Sequence, residues 1–355
     1  MKIVFFIPRM GGGGAERVVA NLADEFSRRN DEVIIYTPTD NNSFYHLSDS
    51  IKLFGENYHI SKKKFIRQVT LLINGIRLFF SYKNRMKKWK PDVVISFLTE
   101  TNIVALLHKK KHKLIISERN DPTKYNKLTQ VGIKRLYAKA DILVCQSKAV
   151  SLYFKEKNTI VIPNPLSSSS LPNPYKGKRK KKVVAIGRLT KQKNFENLIT
   201  AFTLIADKFG DYILEIYGNG EQRYKLESLI KAKGMSNRIF LMGAHRDVLY
   251  KVTDASLFVM SSDYEGYPNA LIEAMAIGLP VICTDFQSGI ARELIGPENG
   301  ILVPVNDVVS LTNAMNQLLS DDDICYKMSL NNVEIRDRLS VEKIADMWYD
   351  IMNNN

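Results

Sequence analysis

The 355-residue sequence predicts an α/β protein of two doubly wound domains, and three observations predict it. The length exceeds what one ordinary core supports and suits two units of about 150 to 180 residues. Short apolar runs rich in Val, Ile and Leu recur along the chain, each followed by a turn and a helical stretch, the pattern of parallel strands with crossover helices. At residues 163–182 the pattern is interrupted by Pro163, Asn164, Pro165, four serines, Pro172, Pro174 and a basic run, the composition of a linker. Units of 1–165 and 166–339 are expected, with a last helix over 340–355.

Composition narrows the function classes. Apolar content of 45% and charged content of 25% are those of a globular protein. Cys145, Cys283 and Cys325 are widely spaced, odd in number and set among apolar residues, so they read as buried thiols of a reducing compartment rather than bridges or a metal site. Residues 1–8, with one Lys before a short apolar run, suit a first strand and not a signal peptide. No window reaches the length of a membrane span; the most apolar, 69–80, is interrupted by Asn74 and Arg77. A cytosolic or peripheral protein is expected. Lys and Arg number 51 against 37 Asp and Glu, a net charge of +14, so some partner or surface is anionic. Nucleic acid is not the expected one, because aromatic residues are not interleaved at exposed stacking positions and no binding module is visible.

In chain order, residues 2–7 form a strand, 8–14 a loop, and 15–29 a helix with Val18, Val19, Leu22, Ala23 and Phe26 on one face. The loop holds four consecutive glycines, Gly11, Gly12, Gly13 and Gly14, which let backbone come close to whatever sits above the sheet. It is not the dinucleotide fingerprint, since Arg17 stands where the third glycine belongs. Residues 32–37 make the next strand. From 61 to 90 there are ten Lys or Arg and no Asp or Glu, with Phe65, Ile66, Val69, Leu72, Ile73, Ile76, Phe79 and Phe80 interleaved at helical spacing. A basic amphipathic helix of this kind suits either an anionic membrane surface or packing on the first sheet with a solvated basic face. Strands over 92–97 and 114–117 lead into Thr99, Glu100, Thr101 and Asn102, and into Glu118, Arg119, Asn120, Asp121 and Pro122. In open α/β sheets ligands sit beyond the carboxyl ends of strands, where both clusters fall. Strands over 141–145 and 159–162 complete the half.

The second half restarts with a strand over 182–187 that ends in Gly187, Arg188 and Leu189, with Lys191, Lys193 and Asn194 opening a helix. Arg188 offers a planar fork and Lys193 a point charge, which together suit the phosphates of a nucleotide diphosphate. Strands over 213–217 and 239–242 lead into Gly218-Asn219-Gly220-Glu221 and Gly243-Ala244-His245; a general-base role for His245 is the sharper of its two readings. After the strand 257–261 comes the segment 262–280. Gly266 and Pro268 break regular structure there, and a helix opens at Pro268 or Asn269 and stops at Gly278. Glu265 lies on the loop and Glu273, eight positions on, inside the helix. Helix N-termini offer unpaired N–H groups and a partial positive charge, so Tyr267 to Leu271 could hold a diphosphate while the two carboxylates accept from hydroxyls on either side. Strands over 281–284 and 301–304, a helix over 307–320 and a last helix over 341–352 after Ser340 finish the chain.

The E-x7-E pair Glu265 and Glu273, the G-R-L-x3-K-N run over 187–194, the glycine loop and the Pro-Asn turn at 163–164, in that combination, resemble the retaining glycosyltransferases of family 4. The turn 117–122 is similar to that of a subgroup that elongates lipid-linked oligosaccharides in bacteria, although the His that many members place here is absent. The resemblance implies a GT-B fold, two Rossmann-like domains facing across a cleft, with acceptor bound by the first, nucleotide sugar by the second, and the last helix packed back on the first. It implies transfer of a hexose or N-acetylhexosamine from a UDP-sugar to a saccharide on polyprenyl diphosphate, by a protein peripheral on the inner face of the cell membrane and docked there through 62–90. No acidic pair resembling a metal site is present, so a metal-independent reaction with no cofactor besides the donor is expected. Catalysis falls to Glu265, Arg188 and Lys193. Donor contacts are expected from Gly12, Gly13, Gly14, Gly187, Gly218, Gly243, Ala244, Gly266, Tyr267, Pro268, Asn269, Ala270, Leu271 and Glu273, and acceptor contacts from Thr99, Asn102, Glu118, Arg119 and Asn120. The alternatives are a nucleotide-sugar epimerase of the same fold and a non-enzymatic nucleotide- or nucleic acid-binding protein.

Overall fold

The computed structural model describes residues 1–39, 41–58, 64–109, 111–119, 126–154, 158–166 and 171–354, with side chains from 73 onward in the helix Lys64–Trp89. Asn120, Asp121, Pro122, the serines at 167–170 and Lys62 and Lys63 lie outside the described residues. The chain divides into two compact units, Met1–Pro165 with Leu339–Asn355, and Leu166–Arg338.

The first unit is built on a seven-stranded parallel sheet: β1 (Lys2–Phe6), β2 (Glu32–Thr37), β3 (Lys52–Gly55), β4 (Val93–Phe97), β5 (Lys113–Glu118), β6 (Ile142–Cys145) and β7 (Thr159–Val161), in the order β3-β2-β1-β4-β5-β6-β7. Strand β4 is buried along its whole length and β1 in all but Lys2, which is why they read as apolar runs. Pairings such as Val4 with Ile34 and with Val94 put one layer of Val, Ile and Phe across the middle. Strand β3 has no counterpart in the sequence reading: its four residues, KLFG, are too short to show a period. The helix Val341–Asn353 belongs to this unit and packs on the helix Gly14–Arg28. Trp348 is fully buried, its ring stacked on Phe97 at 6.0 Å, and Arg29 donates to Asp346 at 2.6 Å with its guanidinium 5.1 Å over the Tyr349 ring. Truncating a core aromatic of this size costs about 3–5 kcal/mol.

The second unit has six parallel strands: β8 (Lys180–Ile186), β9 (Ile213–Tyr217), β10 (Ile239–Gly243), β11 (Ala255–Met260), β12 (Val281–Thr284) and β13 (Ile301–Val303), ordered β10-β9-β8-β11-β12-β13. Its core joins Val183, Leu214, Ile216, Leu257 and Val259 of the sheet to Leu198, Phe202, Met315 and Leu318 of the helices Phe195–Ile205 and Val308–Leu319. Strand β8 starts at Lys180, inside the basic run that the sequence assigns to the linker. Lys182 is buried because its ammonium finds Asp254 at 3.2 Å, Glu215 at 3.4 Å and the Lys251 carbonyl at 2.9 Å.

Strand order reverses between β1 and β4 in one unit and between β8 and β11 in the other. At such a switch point the connections leave for opposite faces of the sheet, and a crevice opens at the carboxyl edge.

Candidate functional site

Each unit carries a polar cluster at its own switch point. In the second unit it is built from the loops after β8 and β11. A short 3₁₀ turn, Lys191–Lys193, follows the Gly187-Arg188-Leu189 segment, and Asn194 takes a left-handed conformation (φ 47°) to turn the chain into the helix Phe195–Ile205. This turn is stitched to the loop after β11. Asp263 N–H donates to the Gln192 carbonyl at 2.8 Å, Asn194 Nδ2 to Asp263 Oδ1 at 2.7 Å, and Ser261 Oγ to the Lys193 carbonyl at 2.9 Å.

These bonds bring Lys193 and Glu265 together across 72 residues of chain: Lys193 Nζ lies 2.6 Å from Glu265 Oε1. Their side chains are only 14% and 9% exposed, so the pair is held in a wall of protein. Ser262 Oγ donates to the same oxygen at 2.7 Å, while Gln192 Nε2 reaches Oε2 at 3.4 Å. Removing one partner of so sheltered a pair strands the other charge, at a cost of about 3–5 kcal/mol. Arg188 is exposed and has no carboxylate partner among the described residues. The cluster thus contains a neutralised cation, Lys193, and cations open to solvent, Arg188 and Lys191.

Glycines set the floor. Gly218 has φ +146°, and a Cβ there would collide with the Gly187 carbonyl oxygen; one at Gly220 would strike the Leu189 carbonyl. Backbone bonds lace the same loops: Leu189 N to Asn219 O at 2.9 Å, Gln222 N to Leu189 O at 2.9 Å and Gly218 N to Gly243 O at 2.8 Å. The Lys193 stem packs on Gly187, whose missing Cβ would lie 3.0 Å from Lys193 Cε. Ala244 and His245 are exposed beyond β10. His245 Nε2 lies 3.0 Å from the Met242 carbonyl, an acceptor only, which favours the tautomer with its proton on Nε2.

The helix after Pro268 spans Asn269–Ala276 and buries Leu271, Ile272, Ala274, Met275 and Ala276, which fixes its N-terminus at the carboxyl edge beside Glu265. Tyr267 and Pro268 are buried and Glu273 is half-buried. Two amides of the expected cradle turn inward: Asn269 N donates to Tyr267 O and Leu271 N to Pro268 O, both at 3.0 Å. The cradle is therefore narrower than the sequence suggests.

In the first unit the glycine loop follows β1, and Gly14 opens the helix Gly14–Arg28. Tyr45 donates its hydroxyl to the Gly13 carbonyl at 3.0 Å and the Phe44 ring lies over Gly12. Beyond β4 and β5 the residues expected to meet an acceptor are drawn inward instead. Asn102 is fully buried and Glu118 is 1% exposed. Glu118 accepts from Thr99 Oγ1 at 2.8 Å, from Tyr137 at 2.6 Å and from the Arg119 amide at 2.9 Å; Asn102 donates to Tyr137 and to Ser117 O, both at 3.1 Å. Arg119 bonds Asn164 and lies 5.1 Å over the Phe97 ring. These side chains brace the loops from beneath rather than presenting polar atoms to solvent. Above them Leu98 adopts φ 73°, ψ 153°, a region that glycine otherwise monopolises.

Sequence reasoning did not single out Ser262, Gln192, Asp263 or Tyr137. Small polar residues before a motif carry no period, and Tyr137 comes from 19 residues beyond its partner Glu118. Among the described residues no group of three or more His, Cys, Asp or Glu could hold a metal ion, and no helix is long and apolar enough to cross a membrane.

Comparison with known proteins adds independent observations. The family model for glycosyl transferases group 1 matches residues 171–334, and that for Glycosyltransferase Family 4 matches 12–169. A Campylobacter jejuni protein, N-acetylgalactosamine-N,N'-diacetylbacillosaminyl-diphospho-undecaprenol 4-alpha-N-acetylgalactosaminyltransferase, is 29% identical over 343 residues, covering 91% of each chain. Among solved structures, a sucrose-phosphate synthase from Thermosynechococcus elongatus superposes with a TM-score of 0.82 at 18% identity, over 99% of this chain and 98% of the other. Anabaena HepE, determined in complex with UDP, superposes with a TM-score of 0.80 at 16% identity, over 99% of each.

Proposed function

Because the chain belongs to glycosyltransferase family 4 and is a glycosyltransferase of GT-B fold, we propose that it moves a hexose or N-acetylhexosamine from a UDP-sugar, with retention of configuration, to a saccharide carried on polyprenyl diphosphate. The observation that carries this reading is the Lys193–Glu265 pair beside the open Arg188 at the β8/β11 switch point. An ammonium has three donors, so Lys193 can hold Glu265 with one and a phosphate oxygen with another, while the guanidinium of Arg188 takes two oxygens at once. Glu265 then accepts from a donor-sugar hydroxyl and Glu273 from the ribose, with Gly187, Gly218, Gly243, Ala244, Gly266, Tyr267, Pro268, Asn269, Ala270 and Leu271 forming the backbone wall.

Catalysis follows from where charge grows. As the anomeric C–O bond breaks, its electron pair passes to the β-phosphate oxygen, and Arg188 and Lys193 bind that oxygen more tightly than in the ground state. The reading gives neutralisation of the leaving group to these groups rather than to a divalent cation. The acceptor hydroxyl forms the new bond on the face the phosphate leaves, and its proton goes to the departing phosphate. UDP is supported by the HepE complex, and a polyprenyl-linked acceptor by the Campylobacter relative's undecaprenol-linked substrate. The matched family models and the Campylobacter relative are transferases by name, which leaves the epimerase and the non-enzymatic readings without support.

Membrane docking belongs to the same proposal. The helix Lys64–Trp89 buries Leu78, Tyr82 and Met86 against the first unit, and turns Ile73, Ile76 and Phe80 outward at 46%, 53% and 54% exposure. The described apolar residues of this helix therefore split between two faces, one packed and one displayed beside the exposed Arg77, Lys83, Lys87 and Lys88. An apolar strip flanked by cations suits the interface of an anionic bilayer.

The test is a panel of UDP-hexoses and UDP-N-acetylhexosamines with a polyprenyl-diphosphate-linked saccharide. Glu265→Gln is expected to cut turnover at least about a hundredfold with little loss of UDP affinity, because the sugar loses its partner while the Lys193 ammonium still faces the phosphate. Equal loss of both would contradict the assignment.

A further inference from the structure

We propose that Ser262 and Gln192 are positioning residues that set the plane of the Glu265 carboxylate, burying one oxygen in the wall and aiming the other at the donor sugar. The proposal rests on the reading of Glu265 above and adds the residues through which it works. Oε1 receives two strong donors, the Lys193 ammonium at 2.6 Å and the Ser262 hydroxyl at 2.7 Å. Oε2 receives only the Gln192 amide among the described residues, at 3.4 Å, the long limit for a hydrogen bond. One oxygen is saturated and the other keeps acceptor capacity.

Both positioning residues are themselves fixed. Ser262 is 1% exposed, and its carbonyl accepts from Thr284 Oγ1 at 2.5 Å, which ties it to the end of β12. Gln192 donates from Nε2 to the Tyr264 carbonyl at 2.8 Å, and its own carbonyl accepts the Asp263 amide at 2.8 Å. The carboxylate is thus gripped from two loops, one after β8 and one after β11. Lys193 alone would not fix its plane, because an ammonium is a point charge without directional preference, whereas a hydroxyl and an amide each define a line. A carboxylate held within a few tenths of an ångström meets a sugar hydroxyl without reorganisation when the glycosidic bond stretches.

The experiment is a mutant cycle on the full chain, using the UDP-sugar of the panel that the unmodified protein turns over fastest, with UDP alone as the binding probe. Ser262→Ala is expected to lower kcat about tenfold, the loss of one charge-assisted hydrogen bond, and Gln192→Leu about threefold, the loss of the long bond to Glu265 together with the bond to the Tyr264 carbonyl, with UDP affinity within about twofold of the parent. Ser262→Thr, which keeps the hydroxyl, restores most of the rate. In a Glu265→Gln background both substitutions are expected to change kcat by less than about twofold, because the group they orient is no longer a carboxylate. Full, additive losses in that background, or parental kcat in both single variants, would overturn the proposal. If Ser262→Ala loses its thermal transition, the half-buried Gln192→Leu runs the same cycle. Should Glu265→Gln itself leave turnover intact, the donor-site reading falls, an outcome separate from failure of the cycle.

Discussion

Arg188 and Lys193 stand five positions apart and experience different surroundings, so their substitutions should differ in kind. Arg188 is exposed and its side chain braces nothing among the described residues, so Arg188→Ala is expected to lower kcat about a hundred- to a thousandfold, the loss of one transition-state donor, with an unchanged melting temperature. Kinetics and calorimetry on one preparation check both halves of that statement. Lys193 also neutralises Glu265 inside the wall, and its loss perturbs stability and turnover together. That Lys193 and Glu265 both lie on turns after strands was legible from residues alone, and the fold brings the two together. The acceptor side was not. Glu118 and Asn102 follow strands just as Arg188 does, yet they turn inward, because Tyr137 arrives from a later helix to pair with both. A polar residue at a strand end looks the same in sequence whether its partner is a ligand or a distant tyrosine.

At the scale of elements, the strands declared themselves by apolar runs, and the exceptions have physical causes. The first residues of β8 are three lysines, a run that reads as solvated linker until Asp254 and Glu215 are brought beside it. Burial by itself would raise the Asp254 carboxyl, and the Lys180 and Lys182 ammoniums outweigh it and hold it below the ordinary carboxylate range. Glycines divide the same way. Gly218→Ala is expected to destabilise the protein by at least about 2 kcal/mol, because the new methyl meets a backbone oxygen at a φ that L-residues avoid. Gly132, inside the helix Lys127–Tyr137, has open space where a Cβ would stand, so Gly132→Ala should stabilise by about 0.5–1 kcal/mol. Denaturant titration of the two variants against the parent gives both signs in one experiment.

For the whole molecule, the excess of fourteen positive charges needs a destination, and the helix Lys64–Trp89 displays several of them beside three exposed apolar side chains. The protein is expected to sediment with vesicles containing phosphatidylserine and not with purely zwitterionic ones, and to be released as salt rises. Charge reversal at Lys87 and Lys88 together should lower vesicle affinity by at least about tenfold. Indifference to lipid charge would remove the helix from the proposal and leave the donor site untouched. The two-sheet α/β class could be anticipated from the chain, and packing of the basic helix on the first sheet was one of its two readings; which apolar side chains stay displayed could not, since Leu78, Tyr82 and Met86 recur at the same helical period as Ile73, Ile76 and Phe80.

The path of the backbone has a practical corollary. The first unit is assembled from two stretches, Met1–Pro165 and Leu339–Asn355, so a protease that nicks the chain once near 166 frees neither half: Trp348, wedged beneath Phe97, remains as a tether. A gene truncated at that point would yield a hydrophobic socket missing its plug, and separation of the halves in active form would require relocating the C-terminal helix by circular permutation rather than cutting.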